Sequence, residues 1–314
     1  MKLWLAPLHG ITQYSFRNCL IRHTSGISSA ITPFLPIQSY DKLNVKKWYD
    51  IWPENNKNIE IIPQLMGNSA SYFFDTVLKV SEIYGYNRFN WNIGCPVNQI
   101  VRRKRGCGLM PYPDIIEEVT EKICGKTNCK LSIKMRLGLH DTNEGYEIIK
   151  RINKYPLEFI VIHPRLGEWQ YSGYPDLSAL EEFISISEHE IVYSGDIVDL
   201  KSYNILKLRF PTINQWMLGR GVLKNPFLSE QIVNGRENEN LQYIERFYDF
   251  YQDIIQSLKL SRNDRGVLVN LKELWHYFAV YFKLNNDELV KLLRIEDFDE
   301  FKRLSNYYIQ KTVN

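Results

Sequence analysis

The stretch RFNWNIGCPVNQIVRRKRGCGLM, residues 88–110, contains the pattern around which the chain is organised. An apolar run at residues 89–93 stops at Gly94, and a cysteine and a proline come next. Four consecutive cations occupy positions 102–105, and a glycine–cysteine–glycine sequence follows them. A strand that ends in a rigid turn with a thiol, beside a basic loop, indicates one edge of an active site.

Runs similar to the one at 89–93 recur along the chain and alternate with helical patterns. Eight of them occur, at residues 3–8, 27–34, 59–66, 89–93, 131–137, 159–163, 191–194 and 215–218. Continuous rather than alternating hydrophobicity is typical of parallel strands that helices cover. Amphipathic segments with helical spacing lie between the runs, at 71–84, 114–124, 144–154 and 177–187. Eight strands that each precede a helix predict an α/β fold, a (β/α)8 TIM barrel.

Two regions depart from this alternation. Residues 35–58 fit only a long loop or an irregular helix. Residues 233–240, VNGRENEN, are polar and rich in Gly and Asn, so they mark a boundary. Helical patterns without strands come after it, at 241–260, 267–284, 287–293 and 298–310. We therefore expect a barrel domain, residues 1–235, followed by a smaller C-terminal all-α helical bundle, residues 241–314.

Composition and charge exclude several kinds of protein. The net charge of +3 over 314 residues is weak, so any RNA binding must come from local basic patches. Five cysteines without a CxxC pair or paired histidines indicate neither a disulfide scaffold nor a zinc site. No apolar run approaches the roughly 20 residues that span a bilayer. We expect a soluble, cytoplasmic, metal-free monomer with no membrane partner.

Function in a TIM barrel gathers where the strands end. Polar residues and glycines follow most of the predicted strands: His9, Gln64, Asn92, Cys95, Lys134, Arg136, His163, Arg165, Ser194-Gly195-Asp196 and Gly219-Arg220. The last two clusters suit a phosphate site, because glycines let the backbone approach an anion and Arg220 supplies charge.

Lys134 and Cys95 are the residues whose chemistry the pattern favours most. A lysine in a barrel strand is costly to bury without a partner, so it indicates a ligand role. It could form a Schiff base or hydrogen-bond an electron-rich ring. We expect the cations at 102–105 to lower the pKa of the Cys95 thiol and make it reactive. Cys107 has no assigned role.

Seven segments carry a resemblance to a known family. They are APLHGITQYSFR (6–17), PQLMG (63–67), NIGCP (92–96), IKMRLG (133–138), IHPRLGEWQYSG (162–173), SGDI (194–197) and LGRGVLKNP (218–226). They occur in the order found in tRNA-dihydrouridine synthases, which the chain resembles over nearly its whole length. The sequence departs from the usual family pattern at four positions: Leu8, His9, Gln13 and Ser194.

The resemblance implies an FMN enzyme that NADPH reduces and that passes hydride to C6 of a uracil ring. Cys95 would be the proton donor to C5, since a thiol can act as a general acid. The implied FMN-binding residues are Pro7, Leu8, His9, Gln64, Lys134, His163, Ser194, Gly195, Asp196, Gly219 and Arg220.

The resemblance also implies a tRNA substrate whose uridine is flipped out of its stack. Asn92 and Tyr171 match positions that contact the flipped nucleotide, and Lys272 matches a helical-domain position that touches RNA. The basic run, with Arg102, Arg103 and Arg105, would hold the RNA backbone.

Several other functions remain open on the sequence. One is an FMN barrel oxidoreductase of a free small molecule, of the dihydroorotate dehydrogenase type, which would not explain the basic run or the helical tail. Another is dihydrouridine synthesis in ribosomal RNA. A non-catalytic RNA-binding protein and a lyase with a Schiff base on Lys134 are further alternatives.

Overall fold

A computed structural model, which describes residues 1–237 and 241–311, contains the eight predicted strands in one sheet. Its strand segments are β1 (Lys2–Leu5), β2 (Ile27–Ile31), β3 (Leu35–Pro36), β4 (Glu60–Ile62), β5 (Gln64–Met66), β6 (Arg88–Ile93), β7 (Lys130–Gly138), β8 (Ile160–Leu166), β9 (Ile191–Ser194) and β10 (Gln215–Leu218). Neighbours pair in parallel, for example β6 with β7 and β7 with β8.

Pro63 accounts for one of the two segments beyond the eight expected strands, and the two-residue β3 is the other. Pro63 divides the predicted strand 59–66 into β4 and β5, because proline has no N–H to donate to a neighbouring strand. The sheet order runs from β3 and β5 at one end to β2 and β4 at the other. β4 at one end of this order continues through this single residue into β5, which pairs with β3 at the other end, so the barrel closes. The predicted TIM barrel is confirmed.

The helices follow the strands along the chain. They are α1 (Tyr14–His23), α2 (Ala70–Tyr84), α3 (Asn98–Val101), α4 (Pro113–Lys126), α5 (Thr142–Ile152), α6 (Leu177–Ile186), α7 (Leu200–Arg209), α8 (Arg220–Lys224), α9 (Leu228–Asn234), α10 (Leu241–Lys259), α11 (Asp264–Tyr281), α12 (Asn286–Arg294) and α13 (Phe298–Lys311). Side chains cap several of them: Asp141 accepts from the Asn143 N–H at the start of α5. The four predicted C-terminal helices are α10–α13.

Residues 35–58 form the irregular segment that the sequence predicts after the second strand. This segment contains β3 and four short 3₁₀ turns: Tyr40–Lys42, Val45–Lys47, Tyr49–Ile51 and Pro53–Asn56. The side chain of Asn56 donates to the carbonyls of Asp50 and Trp52, at 3.0 and 2.9 Å. Such side-chain bonds to the backbone compete with a continuous helix, and Pro53 has no N–H to extend one.

Apolar side chains from six strand segments, together with the neighbouring Ala6 and Phe159, fill the barrel interior. The buried cluster comprises Trp4, Ala6, Ile31, Ile62, Phe159, Val161, Val192 and Met217. The Trp4 ring lies 5.2 Å from that of Phe159, and its indole N–H donates to Gln215 at 2.7 Å. A barrel filled in this way is a solid scaffold, and it leaves the strand ends for chemistry.

The described residues form two compact units. The first comprises Met1–Pro7, Ser29–Gly195 and Thr212–Met217, and so contains nearly all of the sheet. The second comprises Leu8–Ser28, Asp196–Pro211 and the chain from Leu218 onward. The predicted division into residues 1–235 and 241–314 stays a prediction, and residues 238–240 and 312–314 lie outside the described residues. In the described part of the chain, no helix is long and apolar enough to cross a membrane.

Candidate active site

The turn that carries Cys95 is held by the side chain of Asn92, at the end of β6. The amide oxygen of Asn92 accepts the backbone N–H groups of Gly94 and Cys95, at 3.1 and 3.0 Å. A Cβ atom at Gly94 would lie 3.1 Å from the Met135 carbonyl carbon, so only glycine fits this close to β7 without displacement. The turn is thus held by its hydrogen bonds to Asn92 and by the close packing of Gly94 against β7.

The Cys95 thiol is half-buried, and its environment keeps it protonated. Burial raises the pKa of the Cys95 thiol, while the Val97 backbone, Arg136 and Lys134 oppose this rise. The prediction that the cations at 102–105 lower this pKa is wrong, because the cations that act on the thiol lie on β7. A thiol that stays protonated at neutral pH can serve as a general acid.

Lys134 lies on β7, beside Asn92 of β6. Burial, and then the charge of Arg136, lowers the pKa of Lys134 from 10.5 to about 8. Its ammonium group makes no hydrogen bond or ion pair with any residue that the structure describes. Such a group is costly unless a ligand compensates it, which fits a residue that binds a cofactor or substrate.

Arg136 connects the Cys95 turn to the loop that bears Tyr171. Its guanidinium donates to the carbonyl of Gly94 at 3.1 Å and to that of Leu166 at 2.8 Å. The same group lies 5.4 Å from the ring centre of Tyr171, which is 52% exposed. Burial lowers the pKa of Arg136. The exposed part of the Tyr171 ring therefore offers a surface on which a planar ligand can stack.

His163, near the end of β8, has a defined tautomer. Arg165 approaches its Nε2 at 2.9 Å, and since a guanidinium only donates, Nε2 accepts. The ring proton is then on Nδ1. Arg165 also donates to the carbonyls of Ser172 and Gly173, at 3.2 and 2.8 Å. Gly195 has φ +155°, and a Cβ there would lie 3.1 Å from His163 Cδ2, so a side chain would crowd the imidazole.

Gln64 is fully buried, and both ends of its amide are bonded within the barrel. The oxygen accepts from Asn92 at 2.9 Å, and the nitrogen donates to Asn90 at 2.7 Å. Ser194 is also buried, whereas Pro7 is half-buried. The first unit therefore holds Pro7, Gln64, Lys134, His163, Ser194 and Gly195 of the expected cofactor residues.

The other expected cofactor residues belong to the second unit: Leu8, His9, Asp196, Gly219 and Arg220. Within that unit Arg220 donates to Asp196 at 2.9 Å, so its charge is already paired. Asp196 has φ +32°, a conformation that is uncommon for a residue with a side chain.

Lys272 lies on α11, in the second unit, and is half-buried. It lines an open groove of about 620 Å³ whose charged residues are Asp264, Arg265, Lys272, Glu296, Asp297 and Asp299. Carboxylates outnumber cations there, so the groove itself is a poor match for a phosphate backbone.

The basic run is mostly exposed. Arg102, Arg103 and Lys104 face solvent, while Arg105 is half-buried and its Nε is buried without a hydrogen-bond partner in the described structure. Lys104 has φ +52°, and its ammonium lies 4.3 Å from the Tyr112 ring. The exposed members keep their charges available to an anionic partner.

Sequence reasoning missed two residues that contact the predicted site, Asn90 and Ser132. Asn90 donates to Ser132 at 2.9 Å and accepts from Gln64. The available signal was the polar residue at every second position of FNWN, which points both asparagines to one face of β6. Cys107, left without a role, is buried, and its N–H donates to the Cys95 carbonyl at 3.0 Å. In the described residues no group of three or more His, Cys, Asp or Glu could hold a metal ion.

Comparison with known proteins identifies similar sequences along most of the chain. A family model described as dihydrouridine synthase (Dus) matches residues 4–304. The chain is 26% identical over 275 residues to tRNA-dihydrouridine synthase B of Pasteurella multocida, which covers 80% of this chain and 78% of that protein. It is 23% identical over 314 residues to tRNA-dihydrouridine(16) synthase of Neisseria meningitidis serogroup B, with coverages of 96% and 93%.

One solved structure gives a comparison of the fold alone. It is described as a variant of NCR from Zymomonas mobilis and has a TM-score of 0.50 at 12% sequence identity. The match covers 76% of this chain and 88% of that chain.

Proposed function

The chain belongs to the dihydrouridine synthase family, and on that premise we propose that it reduces uridines of tRNA to 5,6-dihydrouridine, with FMN as cofactor and NADPH as reductant. The observation that carries this proposal is the pair formed by a protonated thiol, Cys95, and an unpaired ammonium, Lys134. Each acts on the pKa of the other, so the two groups share one electrostatic environment. A reductive site needs both a proton source and a cation for an electron-rich ring.

Two features of the first unit fit a flavin. The Lys134 ammonium lacks a partner among the described residues, and an acceptor atom of an isoalloxazine ring would supply one. Gly195 leaves space beside His163 that a side chain would fill. The resemblance assigns His163, Gln64 and Ser194 to the cofactor.

FMN, when bound, supplies the redox chemistry by taking a hydride from NADPH and passing it to C6 of the uracil. The protein supplies the proton. In this proposal the S–H bond of Cys95 breaks as a C–H bond forms at C5, and the thiolate then regains a proton from solvent. Lys134 and Arg136 stabilise the thiolate while it exists, although burial keeps the resting thiol protonated.

The uracil would be oriented by groups next to the thiol. We assign Asn92 and Tyr171 to this task, as the resemblance does. Asn92 uses its oxygen for the Cys95 turn and one N–H for Gln64, so a single N–H remains for a uracil carbonyl. Tyr171 has an exposed ring that can stack on a base. A uridine must leave the RNA stack to reach these groups.

The RNA backbone would contact exposed cations. Arg102 and Arg103 face solvent near the Cys95 turn in sequence, which supports a role in holding phosphates. Arg105 contributes less because it is half-buried. The assignment of Lys272 to RNA has weaker support, since carboxylates surround it.

The proposal is tested by deleting the gene and mapping dihydrouridine in cellular tRNA and ribosomal RNA. We expect the modification to disappear from one or more tRNA positions, and to return with the wild-type gene but not with Cys95→Ala. Purified protein should contain FMN that NADPH bleaches. If it does, but every RNA keeps its dihydrouridine and uridine monophosphate is reduced instead, the substrate is a free small molecule and the tRNA assignment is wrong.

A further inference from the structure

Four buried side chains form a continuous hydrogen-bonded chain across the barrel interior, which we call the amide relay: Ser132, Asn90, Gln64 and Asn92. Asn92 donates to Gln64 at 2.9 Å, Gln64 to Asn90 at 2.7 Å, and Asn90 to Ser132 at 2.9 Å. None of the four is more than 9% exposed. The relay ends at the turn that carries Cys95.

The register of the sheet explains why these residues meet. Gln64 on β5 is the neighbour of Asn90 on β6, and Asn90 is the neighbour of Ser132 on β7. Side chains at the same level of adjacent strands point to the same face and come within hydrogen-bond reach. Asn92 lies two residues beyond Asn90, so it shares that face.

Backbone groups at the two ends fix the direction of every bond in the relay. At one end the N–H groups of Gly94 and Cys95 can only donate, so Asn92 must present its oxygen to them. At the other end the Ser132 hydroxyl donates to the carbonyl of Phe89 at 3.2 Å, and a carbonyl can only accept. Each amide between these ends therefore has one orientation that satisfies both neighbours.

Rotating one amide would break the whole arrangement. If Asn90 turned over, its NH₂ would face the NH₂ of Gln64 and its oxygen would face Ser132. Gln64 would then have to turn as well, and Asn92 after it, which would remove the acceptor from the Cys95 turn. Buried polar groups left unpaired in this way cost about 1–3 kcal/mol each.

We infer that Asn90 is a positioning residue, which acts through Gln64 and Asn92 to hold the thiol of Cys95 in place. Its role in catalysis rests on the proposed function, in which Cys95 is the proton donor, whereas its effect on the thiol does not. The alternative is a purely structural role, in which the four side chains only satisfy one another's hydrogen-bonding groups inside the barrel. On that reading, loss of Asn90 would lower stability but leave Cys95 unchanged.

Alkylation of Cys95 by iodoacetamide distinguishes the two readings without any assay of RNA. The reaction is followed at a fixed pH with the purified protein, and the Cys95 peptide is quantified by mass spectrometry apart from the other cysteines. A released turn exposes the half-buried thiol to water and reagent, so we expect Asn90→Leu to speed alkylation by about threefold to tenfold. Asn92→Ala, which removes the direct tether, should have at least the same effect.

Two variants serve as controls for Asn90→Leu. Asn90→Asp keeps an acceptor for Gln64, and because burial favours the protonated carboxyl, its O–H can donate to Ser132 as the amide does, so alkylation should return to the wild-type rate. Asn56→Leu deletes another buried amide, which donates to the carbonyls of Asp50 and Trp52. It should lower stability without changing Cys95. If Asn90→Leu does not fold, Ser132→Ala tests the same chain from its end, with a smaller increase.

The relay is refuted if Asn92→Ala speeds alkylation while Asn90→Leu and Ser132→Ala behave as Asn56→Leu does. It is also refuted if Asn92→Ala itself has no effect, because Asn92 would then not hold the turn. In the catalytic measurement, dihydrouridine formation by Asn90→Leu should fall by roughly 10- to 100-fold and be restored in Asn90→Asp. Should the wild type form no dihydrouridine, the proposed function fails, and the alkylation result still decides the relay.

Discussion

The two ends of the barrel differ in whether their charged side chains form ion pairs. At the amino ends of the strands, Arg88 pairs with Glu60 and lies 2.7 Å from Glu158, and Lys2 lies 3.6 Å from Glu60. Ser29 adds a hydrogen bond to Glu60 at 2.9 Å. Each of these four charged side chains has a partner within the protein.

At the carboxyl ends of the strands, the two cations on β7 form no ion pair with a carboxylate in the described structure. Lys134 has no hydrogen-bond or ion-pair partner in the described structure, and its pKa is lowered to about 8. Arg136 binds two carbonyls rather than a carboxylate. The difference teaches that the amino ends stabilise the barrel, whereas the carboxyl ends are arranged for a ligand that the protein itself does not provide.

Replacement of Cys95 gives the largest expected effect at the carboxyl end. Cys95→Ala removes the proposed proton donor, so the rate of dihydrouridine formation should fall by about 10²- to 10⁴-fold. Reduction of the flavin by NADPH should continue, since no step of it uses the thiol. Single-turnover kinetics on tRNA, with flavin absorbance as the internal control, measures both. A variant that reduces RNA at the wild-type rate would remove Cys95 from the mechanism.

Lys134→Met should stabilise the flavin-free protein while it abolishes function. The pKa of Lys134 falls from 10.5 to about 8 on folding, so between these values the unfolded chain binds more protons than the folded one. The buried charge therefore lowers the free energy of unfolding of the wild type fully below about pH 8, and this loss disappears as the pH rises towards 10.5. Urea unfolding should show the variant more stable by about 1–3 kcal/mol at pH 7, with a smaller gap at pH 10. A gap that does not change with pH would show that burial does not penalise this charge.

Neutralisation of the exposed cations should have a moderate effect on RNA binding. The double variant Arg102→Gln, Arg103→Gln should weaken tRNA binding by about fivefold to tenfold. The slope of the logarithm of affinity against the logarithm of salt concentration should fall by the equivalent of about one to two phosphate contacts. Lys126→Gln with Lys130→Gln is a matched control, since these exposed lysines lie at the end of α4 and at the first residue of β7. Equal weakening by both double variants would mean that the basic run contributes only net charge.

The smallest effect is expected at the amino ends. Glu158→Gln removes one partner of Arg88 and should lower the free energy of unfolding by about 0.5–1.5 kcal/mol, because both side chains are partly exposed. The rate of dihydrouridine formation should not change. Urea denaturation and the tRNA assay together check this, and a loss of activity at wild-type stability would break the distinction between the two ends.

The sequence is enough to predict the barrel because its strands are continuous apolar runs. The runs at 191–194 and 215–218 coincide with β9 and β10. The irregular segment after the second strand could be recognised but not described. Its turns depend on contacts such as that of Asn56 with Trp52, which compete closely with a helix.

The candidate site could be predicted only in part. Strand ends identify Cys95 and Lys134, since polar residues there are costly unless they are used. The environment of the thiol could not be predicted, because residues near it in sequence, at 102–105, are not those that act on its pKa. The amide relay depends on the register between Gln64, Asn90 and Ser132, which are 26 and 42 positions apart. Sequence patterns fix which residues a strand contains, but not which residue of a distant strand lies beside it.

Mass spectrometry of an unmodified tRNA transcript, after incubation with the protein, FMN and NADPH, tests the central claim most directly. The account predicts that defined uridines gain the mass of two hydrogen atoms and that in heavy water one of the two, the proton at C5, is deuterium. A flavin that NADPH reduces, together with transcripts in which no uridine changes, would contradict it.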